Sequence, residues 1–410
     1  MERLWNRNYC MVMVANFSLF FAFYVLTPLL PLYLSERFGA TKDVIGLVLS
    51  GYTVPALVMR PFSGFLVDTF PRKTVLMVSF VAFSIFFAGY LAASTLLLFT
   101  IVRTLHGGPF GALTVAIDVL PSTRRTEGIG YYGLSNNLAM AIAPTIGIFI
   151  YRYTHSFDLL FWIALVVACA GMAVDGSLPP SPSNRRGRNE AQKASPSGGR
   201  LVGADRFFLV RGWLLGLNMV AFGFCFGVLS NYLAIYGKEQ MGITGGTGTY
   251  FMLCAVGLIL SRLQGGKALR QGRVTHNAAG GMLISLVGYT LFILGPMMDS
   301  SLLTSHLSLL TYYASALLIG LGNGHLWPAF QNMTISVAPN NKRGTANSTI
   351  LVSWDVGMGL GILVGGVIAE HVGYDAAFWT VAAVNAVGVL TFFAATRRFF
   401  LERNLNPTVK

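Results

Sequence analysis

An all-α membrane protein of twelve spanning helices, set in two pseudo-symmetric six-helix bundles, is predicted by three observations. They are a charge-poor composition, a regular succession of apolar stretches, and a single polar linker at mid-chain. Of 410 residues, 54% are hydrophobic and only 11% charged, and the mean hydropathy is +0.61. Soluble domains carry roughly a quarter charged residues, so this chain would expose far too much apolar surface in water. A soluble enzyme and a disordered chain are both excluded.

A spanning helix needs about 20 predominantly apolar residues. The first run, 9–34, follows Arg3 and Arg7, is too long for a signal-peptide core and lacks a small-residue cleavage site. The next five are 43–67, 74–94, 96–118, 127–151 and 157–177, with only a weak turn near Ser94 dividing the third from the fourth. Residues 178–206, LPPSPSNRRGRNEAQKASPSGGRLVGADR, read as a flexible linker. Six further runs follow: 207–236, 245–266, 275–297, 306–335, 344–369 and 374–396. The expected units are thus a bundle over 1–177, the linker 178–206, a bundle over 207–398 and a tail over 399–410.

Charge orients the spans. The net charge of +13 arises from 29 Lys and Arg against 16 acids. Of those 29, 22 fall on the side that bears both termini (counting Arg211, near the start of 207–236, with its loop), three lie within spans, and only Arg37, Lys42, Arg152 and Lys238 fall opposite. The acids show no such bias. Both termini are therefore expected in the cytoplasm, and the basic balance needs no nucleic acid to explain it. Cys10, Cys169, Cys225 and Cys254 each sit in an apolar stretch with no CxxC pair or His at ligand spacing. They read as small hydrophobes, and neither a metal site nor a cofactor is expected.

The two halves share a weak repeat. Aligning MRPFSGFLVDTFPRKTVL with SRLQGGKALRQGRVTHN puts Arg60 on Arg262 and Gly64 on Gly266, and a second alignment puts Pro121 on Pro339. A duplicated six-span unit suggests a transporter whose site lies between the halves near the bilayer midplane.

Several stretches then carry a resemblance. The turn GFLVDTFPRKTVL, from Gly64 to Leu76, resembles the signature loop G-x-L-x-D-x-x-G-R-[RK] of the major facilitator superfamily, with Pro71 where the second glycine is usual. RTLHGGPFGAL, from Arg103, resembles that superfamily's fourth-span motif R-x-x-x-G-x-x-x-G. AIDVLPSTRRTEGIGYYG resembles the connection to the fifth span, with Asp118 in its acidic position. AIAPTIGIF resembles the fifth-span element of drug/proton antiporters, although Ala143 replaces the glycine before Pro144 and only Gly147 remains of the later pair. WPAFQNMTISVAP and SWDVGMGLGILVGG extend the likeness through the second half. The resemblance implies the major facilitator fold, alternating access, a proton gradient as driving force, and a monomer in a bacterial inner membrane. Its antiporter branch implies export of small drug-like or amphipathic molecules. The rival is a proton symporter or a facilitator that imports a sugar or metabolite. A non-transporting receptor is disfavoured, and so is a membrane enzyme such as a hydrolase, because HGGP at His106 has no GxSxG elbow and no HExxH is present.

Candidate residues follow from depth in the membrane, where ionisable groups are costly and mark function. Asp355 is the one acid that falls mid-span, about 16 Å from Gly344 by helical rise. Arg60 lies about 12 Å from Asp68 on the same side. The resemblance implies that spans two and eleven are neighbours across the interface between the halves. With that neighbourhood, the matched depth predicts an Arg60–Asp355 pair, acting as a proton carrier if it opens and as a static tie if it does not. The family analogy adds Arg103 to this proton-coupling set, against a snorkelling alternative. Gly64, Asp68, Arg72, Lys73, Asp118 and Arg125 form the expected cytoplasmic gate. Phe21, Tyr24, Asn136, Asn137, Phe226, His325, Trp327, Gln331 and Trp354 are the expected substrate lining, a mix of aromatics and amides suited to an amphipathic or cationic organic molecule. Three basic residues and one acid within the membrane would also suit an anion. His106 and His325 are each a relay or a hydrogen-bonded structural histidine.

Overall fold

The computed structural model describes residues 5–60, 70, 72–112, 125–178, 208–240, 246–297, 302–339 and 342–406. Among these, every regular element is helical. The first apolar run, expected as one helix, is two. α1 (Arg7–Tyr24) is capped by Asn6, whose side chain accepts from the Tyr9 N–H at 2.8 Å. It ends because Pro28 has no N–H to continue the ladder and its ring crowds the carbonyl one turn back. α2 (Leu30–Phe38) restarts after five turn residues and stops at Gly39, whose φ of +61° is the left-handed cap that glycine adopts freely.

The second span is also interrupted. α3 (Lys42–Ser50) gives way to a turn at 51–52, and α4 resumes over 53–60. Pro55 is the cause: it cannot donate to the Gly51 carbonyl, which takes the Val54 N–H at 3.3 Å instead. α5 (Arg72–Ala92) and α6 (Leu96–Ala112) are separated at residues 93–95, where the weak turn was expected. α7 (Arg125–Thr154) and α8 (Phe157–Gly176) complete the first half, with Ser156 capping α8 through the Leu159 N–H. The predicted linker lies outside the described residues apart from Leu178.

In the second half, α9 (Trp213–Glu239) follows a short 3-10 turn. α10 (Gly246–Arg270), α11 (Val274–Met297) and α12 (Leu302–Ser336) come next. α13 (Arg343–His371) and α14 (Tyr374–Thr391) end the half, and a wide turn over Phe392–Thr396 leads to α15 (Arg397–Arg403). Among the described residues, seven helical segments are long and apolar enough to cross a membrane: Lys42–Arg60, Lys73–Ala92, Phe157–Gly176, Val210–Glu239, Val274–Gly295, Thr345–His371 and Tyr374–Arg403. Large apolar side chains face outward along them, with Val78 64% and Leu390 67% exposed. That pattern suits lipid and not water.

Packing inside depends on small residues, because lipid gives apolar side chains little reason to prefer one another. α9 and α13 touch backbone to backbone: a Cβ added at Gly357 would come within 2.1 Å of the Val220 carbonyl oxygen, and one at Gly361 within 2.2 Å of that of Phe224. The halves meet where α3 packs on α13 and α7 on α10. Gly46 and Gly366 permit the first crossing, since a Cβ at Gly366 would lie 2.4 Å from the Lys42 carbonyl oxygen.

This geometry separates two substitutions. Gly361→Val forces α9 from α13 and is expected to destabilise by at least the ~1–3 kcal/mol typical of overpacking, read as a lower melting temperature in detergent. Gly280→Ala meets nothing within 4 Å and should melt as the parent does.

Candidate functional site

The charge that the sequence places deepest has found its partner. Arg60, the last residue of α4, donates to one carboxylate oxygen of Asp355 on α13, from Nη2 at 2.5 Å and from Nε at 2.6 Å. The side chains are 8% and 5% exposed. Two charges so far from water stabilise each other only as a hydrogen-bonded pair, and removing one partner of a buried pair costs about 3–5 kcal/mol. The pair joins the first half of the chain to the second.

Arg103 on α6 is also buried, at 2% exposure. Its guanidinium lies 4.9 Å from the Phe23 ring centre and 4.7 Å from that of Tyr52, and Nη1 donates to the Tyr90 hydroxyl at 3.4 Å. That hydroxyl in turn meets His106 Nδ1 at 2.9 Å. Arg103 therefore points inward and does not snorkel. His106 is held among Phe83, Phe86, Phe87 and Tyr90.

A cavity opens between α7 and the helices α9, α10, α12 and α13. Of the expected substrate residues, Asn137, Phe226, Trp327 and Trp354 line it. Trp354 stands 5.3 Å from both Phe226 and Trp327, perpendicular to the latter, so the three rings form one wall. The other candidates serve elsewhere in this conformation. Asn136 takes a long bond of 3.5 Å from Asn16, Phe21 packs on Phe17, and Tyr24 stacks on Phe20. His325 turns to Asn277 of α11 at 2.9 Å, and Gln331 ties α12 to α13 through Asn347 at 2.9 Å. One lining amide, Asn323, was missed. It lies one helical turn before Trp327, a spacing that puts both on one face, and that signal was available.

For the expected cytoplasmic gate, Gly64, Asp68 and Asp118 lie outside the described residues. Arg72 and Arg125 open α5 and α7, and their side chains are likewise outside the description. Lys73 donates to the carbonyls of Gly176, at 2.8 Å, and Leu178. It thus caps the C-terminal end of α8.

The opposite end, where α2 stops and α3 starts, carries ion pairs that the sequence did not single out. Lys238 at the end of α9 pairs with Glu36, which also accepts from the Tyr151 hydroxyl at 3.0 Å. Lys42 lies 3.6 Å from Glu239 and 4.3 Å from the Tyr374 ring centre, and its backbone N–H donates to Glu370 at 2.9 Å. The adjacent residues Lys238 and Glu239 thus grip both ends of the α2–α3 turn, acid to base and base to acid. Two of the four basic residues assigned to the far side of the membrane are those engaged here.

Known proteins share this architecture. A profile described as Major Facilitator Superfamily matches residues 12–304 and 272–408. The staphylopine export protein of Staphylococcus aureus strain Mu50 is 22% identical over 345 residues, 82% of this chain and 83% of its own length. The quinolone resistance protein NorA of Staphylococcus aureus strain MRSA252 is 25% identical over 247 residues, 57% of this chain and 63% of its own length. Among solved structures, the nucleoside transporter NupG superposes with a TM-score of 0.71 over 95% of this chain and 99% of its own, at 14% identity. Family and fold agree with the apolar helices and the cavity between halves: the chain belongs to the Major Facilitator Superfamily and is a multi-pass membrane transporter, not an enzyme.

Proposed function

We propose that this protein exports small amphipathic organic molecules by alternating access, in exchange for protons. The observation that carries the reading is the buried Arg60–Asp355 pair, which ties the two halves together one residue from Trp354, a wall of the cavity. A pair that must part when the halves tilt frees a carboxylate to take a proton. The same tilt changes which side the cavity faces. The architecture that goes with this reading is twelve spans in two bundles, with both termini in the cytoplasm of a bacterial cell and no cofactor beyond the gradient. The relatives whose names speak of export and of drug resistance support the outward direction. Aromatic walls with two amides suit flat molecules with a polar edge.

The ion pairs at the α2–α3 end then belong to the closed side of the cycle. Each is partly exposed, so each is worth roughly 0.2–1 kcal/mol, weak enough to break in every turnover.

In sealed vesicles carrying an internal pH dye, an exported aromatic substrate should drive proton movement. Asp355→Asn should abolish that movement, and so should the double variant Arg60→Gln/Asp355→Asn, which removes both charges and leaves no unpaired buried ion. Persistent substrate-driven proton movement in the double variant would defeat the reading.

Charge reversal tests the closed face. Glu36→Lys should raise labelling of a cysteine in the cavity by an impermeant thiol reagent from the α2–α3 side, by up to about fivefold for ~1 kcal/mol. Adding Lys238→Glu should restore the parental rate. Equal labelling in all three proteins would make these pairs ornaments of the surface.

A further inference from the structure

Among the described residues, three buried polar atoms near α6 have no hydrogen-bond partner: Arg103 Nε, His106 Nε2 and the Tyr52 hydroxyl. Among the described residues no carboxylate pairs with Arg103. A guanidinium held only by two ring faces and one long bond is a poorly compensated cation in a place where compensation matters most. The mid-span acid, Asp355, is occupied by Arg60.

Tyr52 stands between these two charge centres. It is 1% exposed, its ring carries Arg103 on one side, and its hydroxyl lies within electrostatic range of Asp355, Arg60 and Arg103 together. Tyr24 of α1 shares that range. The charged and titratable groups around Tyr52 are therefore Tyr24 from α1, Arg60 from α4, Arg103 from α6 and Asp355 from α13. The residue after it, Thr53, lies against Gly359 of α13, one turn beyond Asp355.

The backbone at Tyr52 adds a mechanical reason. It sits in the break of the second span, after α3 and immediately before α4, which carries Arg60. Its carbonyl is pressed against α6 so closely that a Cβ at Gly107 would come within 1.8 Å of it. Gly107 lies one turn from Arg103. A swing of α4 that withdraws Arg60 would thus pivot at Tyr52 while Tyr52 and Arg103 stay together.

We propose that Tyr52 is a positioning residue that passes Asp355 from Arg60 to Arg103. Its hydroxyl donates to the carboxylate that Arg60 releases, and its ring keeps Arg103 turned toward that carboxylate. The hydroxyl retains its own proton throughout. The proton that neutralises Asp355 comes from water on the open side of the transporter, and it returns to water on the other side. This rests on the proton-carrying reading of Asp355.

The test is a pH titration of the protonated-carboxyl C=O band by difference infrared spectroscopy, on the full-length protein in lipid vesicles without added substrate. The band is assigned to Asp355 by its loss in Asp355→Asn. In Tyr52→Phe, which keeps the ring and loses the donor, the midpoint should move to higher pH by about half a unit to one unit, a roughly three- to tenfold gain in proton affinity. Phe23→Leu perturbs the other ring on Arg103 without removing a hydroxyl, and it should leave the midpoint unchanged. A parental midpoint in Tyr52→Phe, or the same shift in Phe23→Leu, overturns the role of Tyr52 while Asp355 still titrates. If no band titrates in the parent protein, the proton-carrying reading falls first and this one with it.

Discussion

A carboxylate in hydrocarbon must be neutralised or paired, and the rest of this structure is arranged around that requirement. Asp355 lies on α13 and its partner on α4, so pairing them means bringing the two halves of the chain into contact at mid-depth. Glycines make that approach feasible. Gly46 and Gly366 let α3 lie against α13, while Gly357 and Gly361 let α9 lie against its other side. α13 is therefore clamped between a helix of each half, with its one charged mid-span side chain directed at the first half. The break at 51–52 matters in the same way, because it separates the segment packed on α13 from the segment that carries Arg60.

The cavity inherits its position from this clamp. Trp354 precedes Asp355 on α13 and turns its ring toward Phe226 and Trp327, so neighbouring residues of one helix address substrate and ion pair. At the α2–α3 end, the charged residues of α9 and the Glu370 carboxylate of α13 close over Glu36 and Lys42. A rigid helix with a substrate wall and a charge at its middle, and a closable contact at its end, can link three events by small tilts.

Much of this was legible in the chain. Helix positions followed from apolar run length, and the Arg60–Asp355 contact followed from a single mid-span acid and an arginine at matching depth once the family resemblance had set spans two and eleven side by side. The breaks at Pro28 and Pro55 were not read, because in a span where every position is apolar a proline leaves no change in hydropathy to mark its effect. Rotational phase was also hidden. Asn137 faces the cavity while Asn136 faces Asn16, and no amphipathic pattern on α7 distinguishes the two. His325 and Gln331 share α12 with Trp327 but turn to Asn277 and Asn347. The pairs Glu36–Lys238 and Lys42–Glu239 join helix ends about two hundred residues apart, a proximity set by tertiary packing and invisible to local pattern. Asn323 is different: its spacing from Trp327 was there to be read.

The central claim is that the Arg60–Asp355 contact opens and closes during the cycle. Spin labels at Val58 on α4 and Leu360 on α13, both exposed and neither part of the pair, would measure it by pulsed electron resonance. The account predicts two label separations whose populations interchange as pH is lowered through the range in which Asp355 takes its proton. A single separation that stays the same from alkaline to acid pH, with and without substrate, would mean that the pair is a static tie and would contradict the account.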